Sequence, residues 1–305
     1  MRALIGELFY WVLNMSISAA FAGLVVLLLR KIRRLPRFVP YVLWTVPLIR
    51  FWVPSGLTSS FSLLNVLSWF MVRPVPVPDS NSFTMLNSIV LAENYNPFTF
   101  QNDKIAHLFF IAGLVWLIVF AMLFLASAAL YFITKAEIKD AVRLSGNVYE
   151  STKVTAPAVY GVFRPKVILP AGLDGEERKY VLLHEQVHIK RRDNLLRCVA
   201  VVTACLHWFN PLSWVFLRCF FVDMELSCDE KVLKKCGEEQ KKAYAFVLIG
   251  IQEKKTVFAS AFGGAKTRVR IENILSYRKM TVFSVVCCAV FIVMLAAALL
   301  TNAAV

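Results

Sequence analysis

Cys198-Val199-Ala200-Val201-Val202-Thr203-Ala204-Cys205-Leu206-His207-Trp208-Phe209-Asn210-Pro211-Leu212-Ser213-Trp214-Val215-Phe216-Leu217 is nearly all apolar, and its reading decides the fold. By length alone it is a transmembrane helix. Asn210-Pro211 breaks it near the middle, and Arg197 and Arg218 flank it almost symmetrically about that break. Each arm then has roughly 12–14 residues, about 20 Å at 1.5 Å per residue. That is too short to cross a bilayer and long enough to enter one leaflet. The expected structure is a membrane-dipping helical hairpin over residues 195–222 that returns Arg218 to the level of Arg197. Polar groups at its tip, His207 and Asn210, are tolerable where protein buries them; His207 reads as structural.

A hairpin brings together the residues on its two sides. Upstream lies His184-Glu185-Gln186-Val187-His188. Two His four apart on a helix share a face and can hold one zinc ion, and Glu185 between them can act on a metal-bound water as general base. Downstream lie Glu225 and Asp229. Three protein ligands and a water make a catalytic zinc site, so Glu225 is the expected third ligand. Asp229, four residues on, shares its helix face and is placed to accept a hydrogen bond from a ligand His. Asp223 and Glu230 are the competing carboxylates; neither has an acidic partner four residues on. If 198–217 crossed the membrane, Glu225 would lie on the opposite side from the His pair. Asp193, among basic residues, reads as a cap or ion-pair residue.

The chain has 305 residues, 58% hydrophobic, with formal net charge +14 and mean hydropathy +0.61. A soluble protein of this length is less apolar, and the excess sits in blocks, which indicates a membrane protein. Segments 5–29, 39–53, 106–133 and 281–300 read as spans; the second is marginal, with Pro40, Pro47 and Arg50 inside it. Arg50 is expected to snorkel outward near Pro54 or to pair with Glu7. The first run lacks a small-residue cleavage site and reads as a retained span. Loop 30–37 carries Arg30, Lys31, Arg33, Arg34 and Arg37 without an acid, and 135–280 is again basic, whereas 56–105 is not. The positive-inside rule then puts loop 30–37 and 135–280 in the cytoplasm, with both termini and the 56–105 loop outside. The Pro-rich stretch 73–78 reads as an extended outer linker.

Within 135–280, residues 147–169 carry β-branched residues and turn signals that suggest two or three short strands. Asp174-Gly175-Glu176-Glu177 supplies a cap and an acidic first turn for the helix bearing the His pair. The fold class is thus a four-span α-helical bundle with a cytoplasmic α+β zinc-protease domain. Its divisions are 1–134 (three spans and the outer loop), 135–280 (the metallopeptidase domain with its hairpin) and 281–305 (the fourth span). Seven Cys from Cys198 onward, with no Cys-x-x-Cys pair, read as reduced apolar fillers. Tyr160 and Tyr244 are both candidate oxyanion donors besides the metal. The stretch 155–169 is either an edge strand for peptide addition or an ordinary structural strand. The Lys231, Lys234, Lys235, Lys241 and Lys242 cluster reads as a solvated face near anionic lipid; with no recognition motif, no direct nucleic-acid partner is expected.

His184-Glu185-x-x-His188 with Glu225-x-x-x-Asp229 resembles the gluzincin pattern. Pro157-Ala158-Val159-Tyr160-Gly161-x-x-x-Pro165-x-x-Ile168-Leu169-Pro170, then His207-Trp208-Phe209-Asn210-Pro211-Leu212, then Glu225-x-x-Cys228-Asp229-Glu230 is similar to the BlaR/MecR antirepressor family of membrane metallopeptidases. The resemblance implies a cytoplasmic zinc domain, signalling by cleavage of a winged-helix repressor, and self-cleavage in the cytoplasmic loop. Sensory members carry an extracellular penicillin-binding domain after the last span; this sequence stops at Val305 without a Ser-x-x-Lys module. A stand-alone member or a chain cut at the membrane is expected, not direct β-lactam sensing. The expected partners are the lipid bilayer and a cytoplasmic protein substrate, with a homodimer left open. A quality-control membrane protease and a non-catalytic signalling scaffold are the alternatives.

Overall fold

The computed structural model describes residues 2–32, 35–53, 58–63, 103–154, 156–173, 175–252 and 267–303. The Pro-rich stretch 73–78 and the expected cap Asp174 lie outside the described residues. Among the described residues, three helices are long and apolar enough to cross a membrane: α1 (Arg2–Arg30), α4 (Asp103–Glu137) and α10 (Val282–Leu300). Leu108, Ile111, Val115 and Leu125 on α4, and Val282, Val286, Val293 and Met294 on α10, are exposed, as expected of faces solvated by lipid. The second apolar segment forms two short helices, α2 (Phe38–Leu43) and α3 (Thr45–Trp52), meeting at Trp44. At about 1.5 Å per residue their combined length falls short of the roughly 30 Å hydrocarbon core.

Arg50 corrects the expectation that it snorkels outward. Its side chain is buried and donates Nε to Leu299 O at 3.0 Å and Nη2 to Thr301 O at 2.7 Å. The last carbonyls of a helix have no partner within it and carry its negative dipole end, so Arg50 closes the C-terminus of α10. Ser62 Oγ adds a bond to Thr301 O, and β1 (Thr58–Ser59) runs parallel to β6 (Asn302–Ala303) beside it.

Helices α1 and α4 approach closely at Gly113, where a Cβ would lie 2.8 Å from Ile5 O. Because the obstacle is backbone, Gly113→Ala must separate the two helices. Overpacking of this kind costs about 1–3 kcal/mol; a thermal scan in detergent should show a lowered midpoint, and an unchanged one would mean that the interface is loose.

A four-stranded sheet has the order β2-β3-β5-β4, from β2 (Val142–Ser145), β3 (Val148–Ser151), β4 (Ala158–Tyr160) and β5 (Lys166–Pro170). β3 and β5 are parallel; the other pairs are antiparallel, and β4 is an edge. β2 lies ahead of the expected strand region. Gly146, at φ +54°, turns it into β3, and the Gly146-Asn147 dipeptide is the hairpin signal that marks it. Inner strand β5 buries Val167, Ile168 and Leu169, and α5 (Gly175–Arg191) packs on it through Tyr180, Val181 and Val187.

The broken apolar run forms α6 (Asp193–Leu206) and α7 (Pro211–Cys236). Asn210 caps α7, its Oδ1 accepting from Leu212 N at 3.0 Å, with Pro211 at the first helical position, where a missing N–H costs nothing. The tip is held by protein: Asn210 Nδ2 donates to Ser16 Oγ, and His207 Nε2 donates to Phe51 O. The arms come back together, since Arg197 on α6 reaches Glu225 on α7 at 2.5 Å.

Helix α7 belongs to two cores. Its first half (Phe216, Leu217, Phe220, Met224) packs with Val26, Leu43, Trp44 and Ala200 from the apolar helices. Its second half (Cys228, Val232, Leu233) packs with β5, α5, α8 (Lys241–Gln252) and α9 (Thr267–Ser276). Glu225 lies between the two.

Candidate metal centre

Helix α5 has Glu176 and Glu177 in its first turn and Lys190 and Arg191 in its last, each sign at the dipole end that favours it. Its buried face presents His184, Glu185 and His188. The two Nε2 atoms are 3.1 Å apart. Their Nδ1 atoms point away to separate partners. His188 Nδ1 donates to Asp193 Oδ2 at 2.6 Å. His184 Nδ1 is 2.9 Å from Tyr244 Oη, and the Tyr244 hydroxyl gives its one proton to Asp229 Oδ1 at 2.7 Å. The Tyr244 oxygen must therefore accept from His184 Nδ1–H. Both imidazoles thus hold a proton on Nδ1 and turn their Nε2 atoms toward each other, which leaves Nε2 as the atom that a metal would take in place of a proton.

Glu225 faces that same space, with Oε2 3.5 Å from His184 Nε2 and Oε1 3.7 Å from His188 Nε2. Arg197 holds it on one side, and Arg270 Nη1 lies 3.6 Å away on the other. Arg270 also grips Asp229 through Nε at 2.8 Å and Nη2 at 2.7 Å. Cys228, expected to be an apolar filler, sits with its thiol within ligand distance of both His. Its Sγ lies 3.6 Å from His184 Nδ1, on the rear side of that ring, and also 3.6 Å from His184 O. Glu225 therefore faces the two Nε2 atoms and Cys228 the occupied nitrogen. The competing carboxylates are engaged elsewhere: Asp223 pairs with Arg30, and Glu230 accepts from the Arg37 backbone N–H.

These charges are buried and interdependent. Burial favours the neutral forms of the His rings, but Cys228 and the acidic partners raise both well above the usual His value. Burial raises the Glu225 carboxyl, yet the charge of His188 and hydrogen bonds from both His hold it well below the ordinary range. Cys228 comes down to about 7 against its burial, through His184 and His188. Asp229 comes down to about 2 against its burial, chiefly through Arg270. Buried anions call for positive charge beside them, which protons on the two Nε2 atoms supply in the absence of a metal and which a metal ion supplies when it displaces them. A single zinc ion, at about 2.0–2.1 Å from each His nitrogen, suits the 3.1 Å Nε2–Nε2 separation.

A cavity of about 450 Å³ opens beside Glu225 and Arg197, between α4, α6, α7 and β4, with Phe124, Tyr131 and Val201 among its apolar walls. Edge strand β4 lines it, including Tyr160. Asn194 Nδ2 donates to Val159 O at 2.9 Å and to Gly161 O at 3.1 Å, so two carbonyls of that edge already have donors.

Sequence reasoning brings His184, Glu185, His188, Glu225 and Asp229 to one place, and the structure does gather them. Tyr244, one of the two candidate oxyanion donors, lies behind His184 with its hydroxyl on that ring and on Asp229. Asp229 stands beside His184 as expected, its Oδ1 3.4 Å from Nδ1, and reaches it also through Tyr244. Asp193 does form an ion pair, with Arg191, but it also orients His188. Arg270 has no local signal, because it arrives from a helix far along the chain.

The family model described as BlaR1 peptidase M56 matches residues 10–282. The chain is 34% identical over 116 residues to regulatory protein BlaR1 of Bacillus licheniformis, covering 36% of this chain and 19% of that protein. It is 31% identical over 88 residues to the methicillin resistance mecR1 protein of Staphylococcus aureus, covering 28% of this chain and 15% of that protein. The aligned stretches thus span less than a fifth of each of these relatives.

Proposed function

This chain belongs to the BlaR1 peptidase M56 family, and from that membership we propose that it is a membrane zinc endopeptidase that signals by cleaving a cytoplasmic protein, a winged-helix repressor being the best-supported substrate. The observation that carries the reading is the convergence of two oriented imidazole Nε2 atoms and the Glu225 carboxylate beside buried Glu185. In this proposal His184, His188 and Glu225 hold the metal. A zinc ion held by these residues would supply Lewis acidity toward a scissile carbonyl and toward a water. Glu185 takes the proton from that water and passes it to the leaving amine. Asp193, and Tyr244 with Asp229, keep the His rings in the ligating tautomer. Arg197 and Arg270 hold Glu225 and balance its charge.

The proposed topology has four crossings, both termini outside and the α6–α7 hairpin entering one leaflet from the cytoplasm; the second crossing is the short α2–α3 segment, which spans where the bilayer thins locally to match it. It is supported by the basic residues of 30–37 and 135–280 and by a hairpin too short to span. The regulator names of the aligned relatives favour signalling over quality control. Comparison of protein N-termini in cells carrying the wild-type chain and Glu185→Gln tests the proposal. One new N-terminus, inside a small DNA-binding repressor, is the expected result. Many new termini in damaged membrane proteins would favour quality control, and none would favour a non-catalytic scaffold.

A further inference from the structure

The two His of the metal centre are anchored from different parts of the molecule. His184 is anchored through Tyr244, Asp229 and Arg270, all in the sheet-bearing part. His188 is anchored through Asp193, which is fully buried at the start of α6. Asp193 Oδ2 takes the His188 proton and a bond from Arg191 Nη2 at 2.6 Å. Its Oδ1 accepts from the hydroxyl of Tyr41 at 2.8 Å. Tyr41 lies on α2, distant in sequence and inside the apolar helical cluster.

The Tyr41 ring is itself held by two contacts. It stacks on Phe220 of α7, with centroids 6.0 Å apart and an interplanar angle of 5°. The Arg191 guanidinium lies 4.3 Å from its centroid, a cation–π geometry. The hydroxyl therefore has little freedom to point elsewhere. A carboxylate that orients a ligand imidazole does so only while its own rotamer is held. Asp193 Oδ1 is held by Tyr41 and, more loosely, by Arg191 Nε at 3.2 Å.

The same helical segment is hydrogen-bonded along its length. Trp44 Nε1 donates to Asp223 Oδ2, Trp52 Nε1 donates to Thr203 Oγ1, and Arg50 closes the end of α10. We propose that Tyr41 is a positioning residue for His188, acting through Asp193, so that the α2–α3 segment sets the orientation of one of the two His ligands while the sheet-bearing part sets the other. The inference rests on the proposed metal site but not on the identity of any substrate.

The test uses the full-length chain in detergent, with zinc affinity measured against a competing chelator and the cobalt-substituted absorption spectrum as a second readout. Asp193→Asn should weaken zinc by about 10–100-fold, the usual loss for an outer partner of a metal-binding His. Tyr41→Phe keeps the ring and both of its stacking contacts and should weaken zinc several-fold, with a cobalt spectrum altered in the same sense. In the Asp193→Asn background, Tyr41→Phe should add nothing further. Trp44→Phe, which loses a hydrogen bond on the same segment away from Asp193, should leave affinity and spectrum unchanged. Wild-type affinity and spectrum in Tyr41→Phe would overturn the proposal, as would independent losses in the double variant or an equal loss in Trp44→Phe. Wild-type chain that binds zinc but cleaves no protein would refute the proposed function and leave this inference standing; wild-type chain that binds no zinc would end both.

Discussion

Glu185→Gln leaves zinc bound at the wild-type stoichiometry and removes cleavage, with kcat lower by about 10²–10⁴-fold, the contribution of a positioned general base. Glu185 lies on the buried face of α5 with 9% of its surface exposed, where Gln fits the same volume. None of the recorded anchors of His184 and His188 involves Glu185, so its amide leaves both tautomers as they are. Glu225→Gln behaves differently. It removes the charge that faces both Nε2 atoms, and zinc content should fall together with activity. The pair of variants separates a base from a ligand, which activity alone does not. Metal analysis of the purified chains, together with cleavage of a purified repressor, provides the check. Wild-type cleavage by Glu185→Gln would remove the base assignment, and full zinc retention by Glu225→Gln would shift the third ligand to Cys228.

The gathering of the candidate site was legible in sequence where its geometry is periodic. His184, Glu185 and His188 lie one turn apart on one helix, and so do Glu225 and Asp229; spacing alone places such residues on common faces. The joining of the two helices was legible as well, because Asn210-Pro211 stops a helix for reasons intrinsic to those residues. Arg50, Tyr41 and Arg270 lacked any such signal. Each acts on a group far away in the chain: Arg50 on the end of α10, Tyr41 on Asp193, Arg270 on Asp229. No local pattern records a pairing at that separation. Sequence marks a charge in an apolar run as costly, but it does not say which carbonyls or carboxylates will satisfy it. Tyr244 stayed open beside Tyr160 for a related reason: a Tyr near such a site can face substrate or back a His, and only the direction of its hydroxyl decides.

Helix α7 explains why these distant groups converge. With one half in each core, it places Glu225 where the apolar helices end and the sheet-bearing part begins. Displacement of either half would move Glu225 relative to His184 and His188. Movement of the apolar helices would therefore reach the candidate site by short routes, through α7 to Glu225 and through Tyr41 and Asp193 to His188.

Arg30→Met should cost a large share of the stability, and the loss should depend on pH. Arg30 Nε donates to Asp223 Oδ2 at 2.6 Å, and Trp44 Nε1 donates to the same oxygen at 2.7 Å. Asp223 is fully buried, and its Oδ1 has no hydrogen-bond partner among the described residues. Removing one partner of a buried pair costs about 3–5 kcal/mol, because the other charge stays buried. The Asp223 carboxyl already sits above the ordinary carboxylate range, chiefly from burial, with Arg30 opposing. Without Arg30 it rises further. A carboxyl whose folded value exceeds its unfolded value of about 3.9 contributes stability that is complete below the unfolded value and is lost as pH rises through the folded value. The deficit of Arg30→Met should therefore be small in acid and grow toward neutral and alkaline pH. Adding Asp223→Asn removes the stranded charge and should recover much of the loss while flattening its pH dependence. Unfolding midpoints in detergent at mildly acidic and mildly alkaline pH give the comparison. A deficit that is equal at both, or a double variant no more stable than Arg30→Met, would mean that desolvation of Asp223 is not what Arg30 offsets.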